Sequence, residues 1–170
     1  MSSRAPIQQQ PPSGMRSGAP WEQPPYMASQ VFTYETDIPN TTGTVTELAA
    51  GASAQLTFNV AGDSDFFWTK FAAFALVGGA ATTRDADQLP AVTILLTNTT
   101  TGRQYSNNPV PLPNMAGNGQ FPFILPQVVL WQAFATIQVN LANEGNVTYS
   151  NLQLSFIGVK AFTNSNMTPG

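Results

Sequence analysis

Apolar and polar residues alternate with a period of two along most of the chain after residue 30. In the segment 55–60, for example, Leu56, Phe58 and Val60 alternate with Gln, Thr and Asn. Such a period places every second side chain on the same face of a strand whose other face meets solvent. The pattern, bounded by turn residues, therefore predicts strands at 31–36, 55–60, 91–97, 103–105, 121–125, 128–141 and 147–162.

The segment 66–77 is apolar on both faces, apart from Thr69 and Lys70. A strand with this composition is expected to be covered on both sides by other parts of the protein. A short core helix is the alternative interpretation, because the three alanines of this segment favour a helix. No amphipathic helix of ordinary length is evident elsewhere in the sequence.

Clusters of turn residues predict two hairpins. The Asn/Thr/Gly cluster at 98–102 is expected to return the chain onto a strand at 103–105. The segment 143–146, Asn-Glu-Gly-Asn, predicts a four-residue hairpin connection between the two strongest strands, at 128–141 and 147–162.

Proline and glycine mark two further features. The segment 106–120 contains three prolines and two glycines, which predicts a long loop. Pro122 indicates that the strand at 121–125 lies at a sheet edge, because proline cannot donate a hydrogen bond within a central strand.

About eight strands with polar turns predict an all-β protein, namely an antiparallel β-sandwich or barrel. A jelly roll fits this strand count, and an immunoglobulin-like sandwich is the alternative, although its Cys-Trp-Cys core is missing. Trp68 and Trp131 lie within strand patterns and are predicted to be core residues. No internal repeat of fixed period is present, which disfavours a propeller or a solenoid.

Residues 1–30 differ in composition from the rest of the chain. They hold six of the 14 prolines and a run of three glutamines, but almost no aliphatic side chains. This composition predicts an extended, polyproline-like N-terminal arm that cannot build a core. The predicted organisation is an arm at 1–30, a β-sandwich domain at 31–163 and a C-terminal tail at 164–170. We expect the arm to be held by a neighbouring subunit or a larger particle; folding back along its own domain is the alternative.

The arm carries the candidate partner-binding residues. Trp21 and Tyr26 bracket a proline-rich stretch, and aromatic side chains dominate many binding surfaces. We expect them to insert into pockets of a partner, with packing against the parent domain as the equal alternative. The full set of predicted partner-binding residues is Arg4, Arg16, Trp21, Pro24, Pro25 and Tyr26.

Charged residues make up only 9% of the chain, whereas about a quarter of a typical soluble domain is charged. The surface must therefore be wetted mostly by Thr, Asn, Gln and Ser. A net charge of −3 lacks the basic excess that neutralises phosphates, so nucleic acid is not an expected partner. The first thirty residues contain no apolar run of the length of a secretory signal, and the most apolar segment, 66–77, is too short to cross a bilayer as a helix, so neither is expected.

Cysteine and histidine are both absent. Their absence excludes disulfides, thiolate or imidazole metal sites and Ser-His-Asp triads. The pairs Asp63/Asp65 and Asp85/Asp87 would offer oxygen ligands for calcium if they met, or an acid and a base for glycoside hydrolysis. Solvated loop carboxylates are the favoured interpretation, so we expect no catalytic residues, no metal and no cofactor.

Asn-Xaa-Ser/Thr sequons begin at Asn40, Asn98, Asn146 and Asn166. They would suggest glycosylation, but a chain this rich in asparagine and threonine contains such triplets by chance. We interpret Asn98 as a turn residue and Asn166 as a tail residue.

Neutral polar surfaces favour assembly. A sheet face covered with Thr, Asn, Gln and Ser can be buried without stripping water from ionised groups, which costs several kcal/mol for each unpaired ion. Edge strands with few lysines also lack the usual protection against pairing with another chain. We therefore expect the edges to be covered by the arm or by a partner in a permanent assembly.

Five stretches in a fixed order carry a resemblance: Phe-Asn-Val at 58–60, Asp-Ser-Asp-Phe-Phe at 63–67, Thr-Gly-Arg at 101–103, Phe-Pro-Phe at 121–123 and the alternating segment 154–162. Their order resembles that of small β-sandwich virion proteins of tailed bacteriophages, the cement or decoration proteins on the outside of capsids. The resemblance spans about residues 55–162 as a pattern of strand and turn residues, and it excludes the arm.

The resemblance implies a non-enzymatic jelly-roll protein that forms dimers or trimers at junctions between capsomers, with an arm that straps neighbouring subunits together. It implies the major capsid protein and copies of the chain itself as partners. The implied location is the capsid exterior, after synthesis in the cytoplasm of the host bacterium. A receptor- or glycan-binding head-fibre or adhesion module, acting through the loops 85–89 and 106–120, is the alternative.

Overall fold

The structure, a computed structural model, describes residues 19–22, 26–39, 46–78 and 90–163. Short 3₁₀ turns occur at Pro20–Glu22 and Leu112–Asn114, and all other regular structure is strand. The strands are β1 Tyr26–Ile38, β2 Ser53–Asn59, β3 Asp65–Val77, β4 Val92–Asn98, β5 Arg103–Gln104, β6 Val110–Pro111, β7 Phe123–Trp131, β8 Thr136–Asn143 and β9 Tyr149–Thr163.

The nine strands form two antiparallel sheets. The first sheet has the order β1-β9-β3-β7, and the second has the order β2-β8-β4-β5, with β6 also paired to β4. The chain crosses from one sheet to the other at every connection except those among β4, β5 and β6. With β5 and β6 counted as one interrupted strand, this arrangement is an eight-stranded jelly roll. The predicted all-β antiparallel sandwich is confirmed.

An aromatic cluster fills the space between the sheets. Trp68 and Trp131 are almost fully buried, and their rings stack with centroids 5.0 Å apart. Phe156 packs on both of them and stacks on Phe71 at 4.7 Å. The prediction that both tryptophans are core residues is confirmed, and large aromatic rings supply much of the buried apolar area.

The apolar segment 66–77 forms β3, so the strand interpretation is confirmed and the helix alternative is wrong. β3 lies between β9 and β7, and both of its edges are therefore paired. Phe66 and Trp68 point into the core, whereas Phe67 is buried on the opposite face. Apart from Lys70, every residue of β3 is buried or partly buried on either face, which fits its lack of alternation.

The prediction of a single strand at 128–141 is wrong. β7 ends at Trp131 in the first sheet, and β8 begins at Thr136 in the second sheet. Between them Phe134 adopts a φ of 63°, a left-handed conformation that turns the chain without glycine or proline. Gly62 makes room for this corner, because a Cβ atom there would overlap the ring of Phe134.

The hairpin predicted at 143–146 is also wrong. β8 pairs with β2 and β4, whereas β9 pairs with β1 and β3, so this connection crosses between the sheets. By contrast, the hairpin predicted at 98–102 is confirmed, because β4 pairs with β5 across it. The segment 121–125 does contribute to an edge strand, since β7 ends the first sheet.

The predicted loop at 106–120 is more ordered than its composition suggests. It contains β6 and the second 3₁₀ turn, and Leu112 within it is fully buried in the core. Gly117 forms a bridge with Ala72 at the edge of β3. A Cβ atom at Gly117 would collide with the main chain at 121–123, so this close approach requires glycine.

The predicted boundary between arm and domain falls inside a strand. β1 begins at Tyr26, so residues 26–30 continue the first sheet beside β9. Residues 1–18 and 23–25 of the arm, and the tail at 164–170, lie outside the described residues. The division into arm, domain and tail stays a prediction.

Candidate interaction surface

The outer face of the second sheet carries no ionised side chain on its described strands β2, β8 and β4. On β2, β8 and β4 the core side is formed by residues such as Leu56, Val139 and Leu96, so the alternate residues point outward. Those outward residues are Ser53, Gln55, Thr57 and Asn59 on β2, Thr136, Gln138, Asn140 and Ala142 on β8, and Thr93, Leu95 and Thr97 on β4. All of these residues are uncharged. We call this surface the neutral face.

Polar side chains of the neutral face are tied to one another. The Gln138 amide donates a hydrogen bond to Asn140 Oδ1 at 3.0 Å, and the Thr136 hydroxyl donates to Asn59 Oδ1 at 2.9 Å. The register places Thr57, Gln138 and Thr97 in one row across the sheet. Side chains that already hold one another lose less freedom when a partner covers them.

The outer face of the first sheet is different. Val31, Val159, Phe67 and Leu130 lie in one row across its four strands. Phe67 is buried, whereas Val31 is 76% exposed at one end of the row and Leu130 is half-exposed at the other. The sequence indicated only that both faces of the segment 66–77 are apolar. That the apolar row continues onto β1 and β7 became visible from the register of the strands.

Tyr26 is the one predicted partner-binding residue whose side chain the structure describes. Its hydroxyl donates a hydrogen bond to Asp65 Oδ2 at 2.7 Å, and its ring packs edge-to-face on Phe67 at 5.3 Å. Asp65 in turn accepts a hydrogen bond from the main-chain N–H of Ala133 at 2.8 Å. Tyr26 therefore packs against the parent domain, the alternative left open by the sequence, and fastens the start of β1 to the first sheet.

The other predicted partner-binding residues are not brought together with Tyr26 by any described contact. The main chain of Trp21 lies in the 3₁₀ turn Pro20–Glu22, which contacts β1 and β9. The side chain of Trp21, and the whole of Arg4, Arg16, Pro24 and Pro25, lie outside the described residues. Their role in binding a partner stays a prediction.

Tyr26 provides a pH-dependent contribution to stability. Burial, together with the hydrogen bond and the negative charge of Asp65, raises the pKa of Tyr26 to about 12 from its usual value of 10.0. Because the folded-state pKa is the higher one, this contribution is complete below about pH 10 and is lost as the pH rises towards 12. The change Tyr26→Phe is expected to lower the free energy of unfolding by about 1 kcal/mol at neutral pH.

Two measurements check this expectation. Burial also raises the pKa of Tyr105, so ultraviolet absorbance of tyrosinate against pH should show that Tyr26→Phe loses one of the late-titrating tyrosines of the wild-type chain and keeps the other. Urea unfolding of both proteins at neutral pH gives the difference in stability. A chain in which Tyr26 titrates like an ordinary surface tyrosine would contradict the hydrogen bond to Asp65.

Of the acidic residues considered as a metal or catalytic site, Asp63 and Asp65 have partners within the protein. Asp63 accepts a hydrogen bond from the Ser64 hydroxyl and pairs with Lys160 at 3.4 Å. Burial acts to raise the pKa of Asp63, but the Ser64 hydrogen bond and the charge of Lys160 outweigh it and lower the pKa. Within the described part of the chain, no three His, Cys, Asp or Glu residues lie close enough to hold a metal ion. Asp85 and Asp87 lie outside that part.

Asn98 is a turn residue, as predicted. It is buried at the end of β4, and its side-chain Oδ1 accepts a hydrogen bond from the main-chain N–H of Thr101 at 3.1 Å. Asn146 is exposed, and the sequons at Asn40 and Asn166 lie outside the described residues. No helix in the described ranges is long and apolar enough to cross a bilayer.

Comparison with known proteins reveals distant structural likeness alone. No protein-family model matches the sequence, and no curated protein matches it. Dimeric latent PorU from Porphyromonas gingivalis is similar with a TM-score of 0.30 and 9% identity, over 78% of this chain and 13% of PorU. The VP2 subviral particle protein of infectious bursal disease virus is similar with a TM-score of 0.29 and 11% identity, over 81% of this chain and 38% of VP2. The chain thus spans well under half of either protein.

Proposed function

We propose that this chain is a non-enzymatic virion structural protein that stabilises a phage capsid by bridging coat-protein subunits. The observation that supports the proposal is the neutral face. Three adjacent strands present a hydrogen-bonding surface without an ionised side chain. A coat protein can cover such a surface without the desolvation cost of several kcal/mol that each unpaired ion would add.

In this proposal the chain acts by repeated contacts of modest strength. The neutral face lies against the major capsid protein on the capsid exterior, and the arm reaches a neighbouring subunit. Copies of the chain also contact each other, as a dimer or a trimer. Contacts repeated by the symmetry of the particle raise the total affinity far above that of one site.

A receptor- or glycan-binding module of a head fibre is the second candidate. Phe121, at the end of the loop 106–120, is 70% exposed, and aromatic rings are suited to stacking on ligands. A shallow depression lined by Arg103, Tyr105 and Gln132 lies beside the hairpin that joins β4 to β5. Binding of the full chain on a glycan array would support this candidate.

The coat-bridging proposal predicts that a charge in the middle of the neutral face weakens capsid binding. Gln138→Lys places an ammonium group in the central row of the face. Burial of that unpaired charge costs several kcal/mol, so the affinity is expected to fall by at least about tenfold. Co-sedimentation with capsids of the virus that encodes the chain measures the effect.

Gln153→Lys is the matched control, because Gln153 is an exposed glutamine on the outer face of the first sheet. It should bind capsids like the wild-type chain. Removal of residues 1–18 tests the arm in the same assay and should weaken binding while the domain stays folded. Equal binding by wild-type and Gln138→Lys protein would show that the coat does not cover the neutral face.

A further inference from the structure

Strand β2 leaves a row of main-chain hydrogen-bonding groups open at the edge of the second sheet. The main-chain N–H of Asn143 donates to the carbonyl of Ala52, and the N–H of Val60 donates to the carbonyl of Ala135. Because N–H and C=O directions alternate along a strand, the even-numbered residues of β2 face β8. The odd-numbered residues Ser53, Gln55, Thr57 and Asn59 therefore direct their N–H and C=O groups away from the sheet. No other described strand pairs with them.

The other sheet edges carry features that discourage pairing with another chain. β7 contains Pro126, and β5 and β6 have only two residues each. β1 carries Glu35 and Asp37, and the turn Pro20–Glu22 contacts it. β2 has seven residues in unbroken register with β8, and it contains neither a charge nor a proline. Among the described edges, β2 is thus the one that is long, regular and unprotected.

We propose that β2 pairs antiparallel with β2 of a second copy of this chain, about a two-fold axis at Leu56. This axis sets Ser53 opposite Asn59 of the other copy and Gln55 opposite Thr57. All four residues with outward N–H and C=O groups then meet one another, which gives about eight main-chain hydrogen bonds. Shifting the axis to Gln55 or Thr57 leaves one end of the row unpaired.

A second copy fits this edge because the strand is chemically complementary to itself. The facing side chains are Ser with Asn and Gln with Thr, which hydrogen-bond each other across strands and bring no like charges together. An isologous dimer uses the same patch on both subunits, so a strand that is neutral from end to end meets no repulsion. The neutral face then continues without interruption across the two copies.

This inference deepens the proposed self-association by naming its surface, and it rests on that part of the proposed function alone. It does not require a capsid. The contact is a narrow one, at the low end of interface sizes, so we expect a reversible dimer rather than a permanent one in free solution. The particle would then strengthen it by holding two copies close together.

Sedimentation equilibrium of the full chain tests the dimer, and the double variant Gln55→Lys/Thr57→Lys tests its surface. Both side chains are exposed, so the fold should be retained, and circular dichroism checks this. The pairing sets each introduced ammonium group opposite one from the other copy, so the dimer dissociation constant should rise at least about tenfold. Gln138→Lys is the matched control, because it charges the same face one strand away from the edge and should leave the dimer intact.

Introduced cysteines test the register, since the natural chain has none. Under mild oxidation, a mixture of Gln55→Cys and Thr57→Cys proteins should form a disulfide-linked dimer, because paired residues lie within disulfide reach. Each protein alone should not. Cross-linking by Gln55→Cys alone or Thr57→Cys alone would overturn the axis at Leu56.

Three further outcomes decide whether β2 forms the dimer interface. A wild-type chain that stays monomeric at about 100 µM, the range in which weak contacts form, overturns the inference. A dimer that survives Gln55→Lys/Thr57→Lys but is lost on removal of residues 1–18 assigns self-association to the arm and also overturns it. If Gln138→Lys still forms the dimer, the inference is supported. If the same variant fails to bind capsids, the coat-bridging role is supported independently.

Discussion

Trp131→Ala should lower the free energy of unfolding by about 4 kcal/mol, the size expected for removal of a large core aromatic. Trp131 is fully buried, stacks on Trp68 at 5.0 Å and packs against Phe58, Phe66 and Phe156. It is also the last residue of β7, so its loss opens a cavity where the chain leaves the first sheet. Urea unfolding followed by circular dichroism measures the change.

Trp131→Phe is the graded control for this effect. Phenylalanine keeps much of the ring volume but loses the indole N–H, which donates to the Tyr105 hydroxyl at 2.7 Å. A loss of about 1–2 kcal/mol is expected, clearly smaller than for alanine. Equal effects of the two substitutions would show that the hydrogen bond, and not the packing, accounts for the stability at this position.

Asn143→Ala is the second substitution with a large expected effect, about 3 kcal/mol of destabilisation. The buried Asn143 amide donates to the carbonyls of Leu48, Ala49 and Val147 at 2.7–3.1 Å. Its Oδ1 accepts a hydrogen bond from the N–H of Gly145 at 3.0 Å. Alanine leaves the carbonyl of Val147 and the N–H of Gly145 without their partner, and each such group costs about 1–3 kcal/mol. The carbonyls of Leu48 and Ala49 still accept hydrogen bonds from the N–H groups of Tyr149 and Ala52.

Asn146→Ala is the matched control for Asn143→Ala, since it changes an exposed asparagine in the same connection. Its effect should stay within about 0.5 kcal/mol, as for most surface substitutions. Thermal unfolding of the two variants side by side gives the comparison. Similar stabilities would contradict the role of Asn143 as the residue that ties the segment 48–49 to the connection 143–147.

The sequence predicted the class of fold because a half-buried strand leaves a direct record in its alternation. The segments around Leu56 and Leu154 show it clearly, and β2 and β9 lie there. β3 was predicted for a different reason, since its segment is apolar on both faces, as expected of a strand covered on both sides. The two core tryptophans followed from their positions within these patterns.

The connections were harder to predict, because they depend on which sheet receives the next strand. The corner at Phe134 lies in an apolar stretch without glycine or proline, so periodicity alone runs straight through it. Asn143 looked like an ordinary turn residue, although its side chain organises a crossing between the sheets. Alternation reports which face is buried but not which strand is the neighbour.

For the neutral face, too, one property was predictable from the sequence and another was not. Its lack of charge was predictable from composition, but its location on one sheet depended on the register that aligns Thr57, Gln138 and Thr97. The open edge of β2 was expected only in general terms, from the scarcity of lysine. Tyr26 was predicted to bind a partner or to pack against the parent domain, and its hydrogen bond to Asp65, far away in sequence, shows contact with the parent domain.

β9 lies between β1 and β3 in the first sheet, although it is the last of the described strands in chain order. On the ribosome, β1 and β3 therefore emerge long before the strand that joins them exists. Pairings of such large sequence separation form slowly, and unpaired strands in a nascent chain are prone to aggregate. A polypeptide that stops before Tyr149 lacks β9, one of the two central strands of the first sheet, so β1 has no partner strand. Such a truncated translation product is a ready substrate for chaperones and proteases.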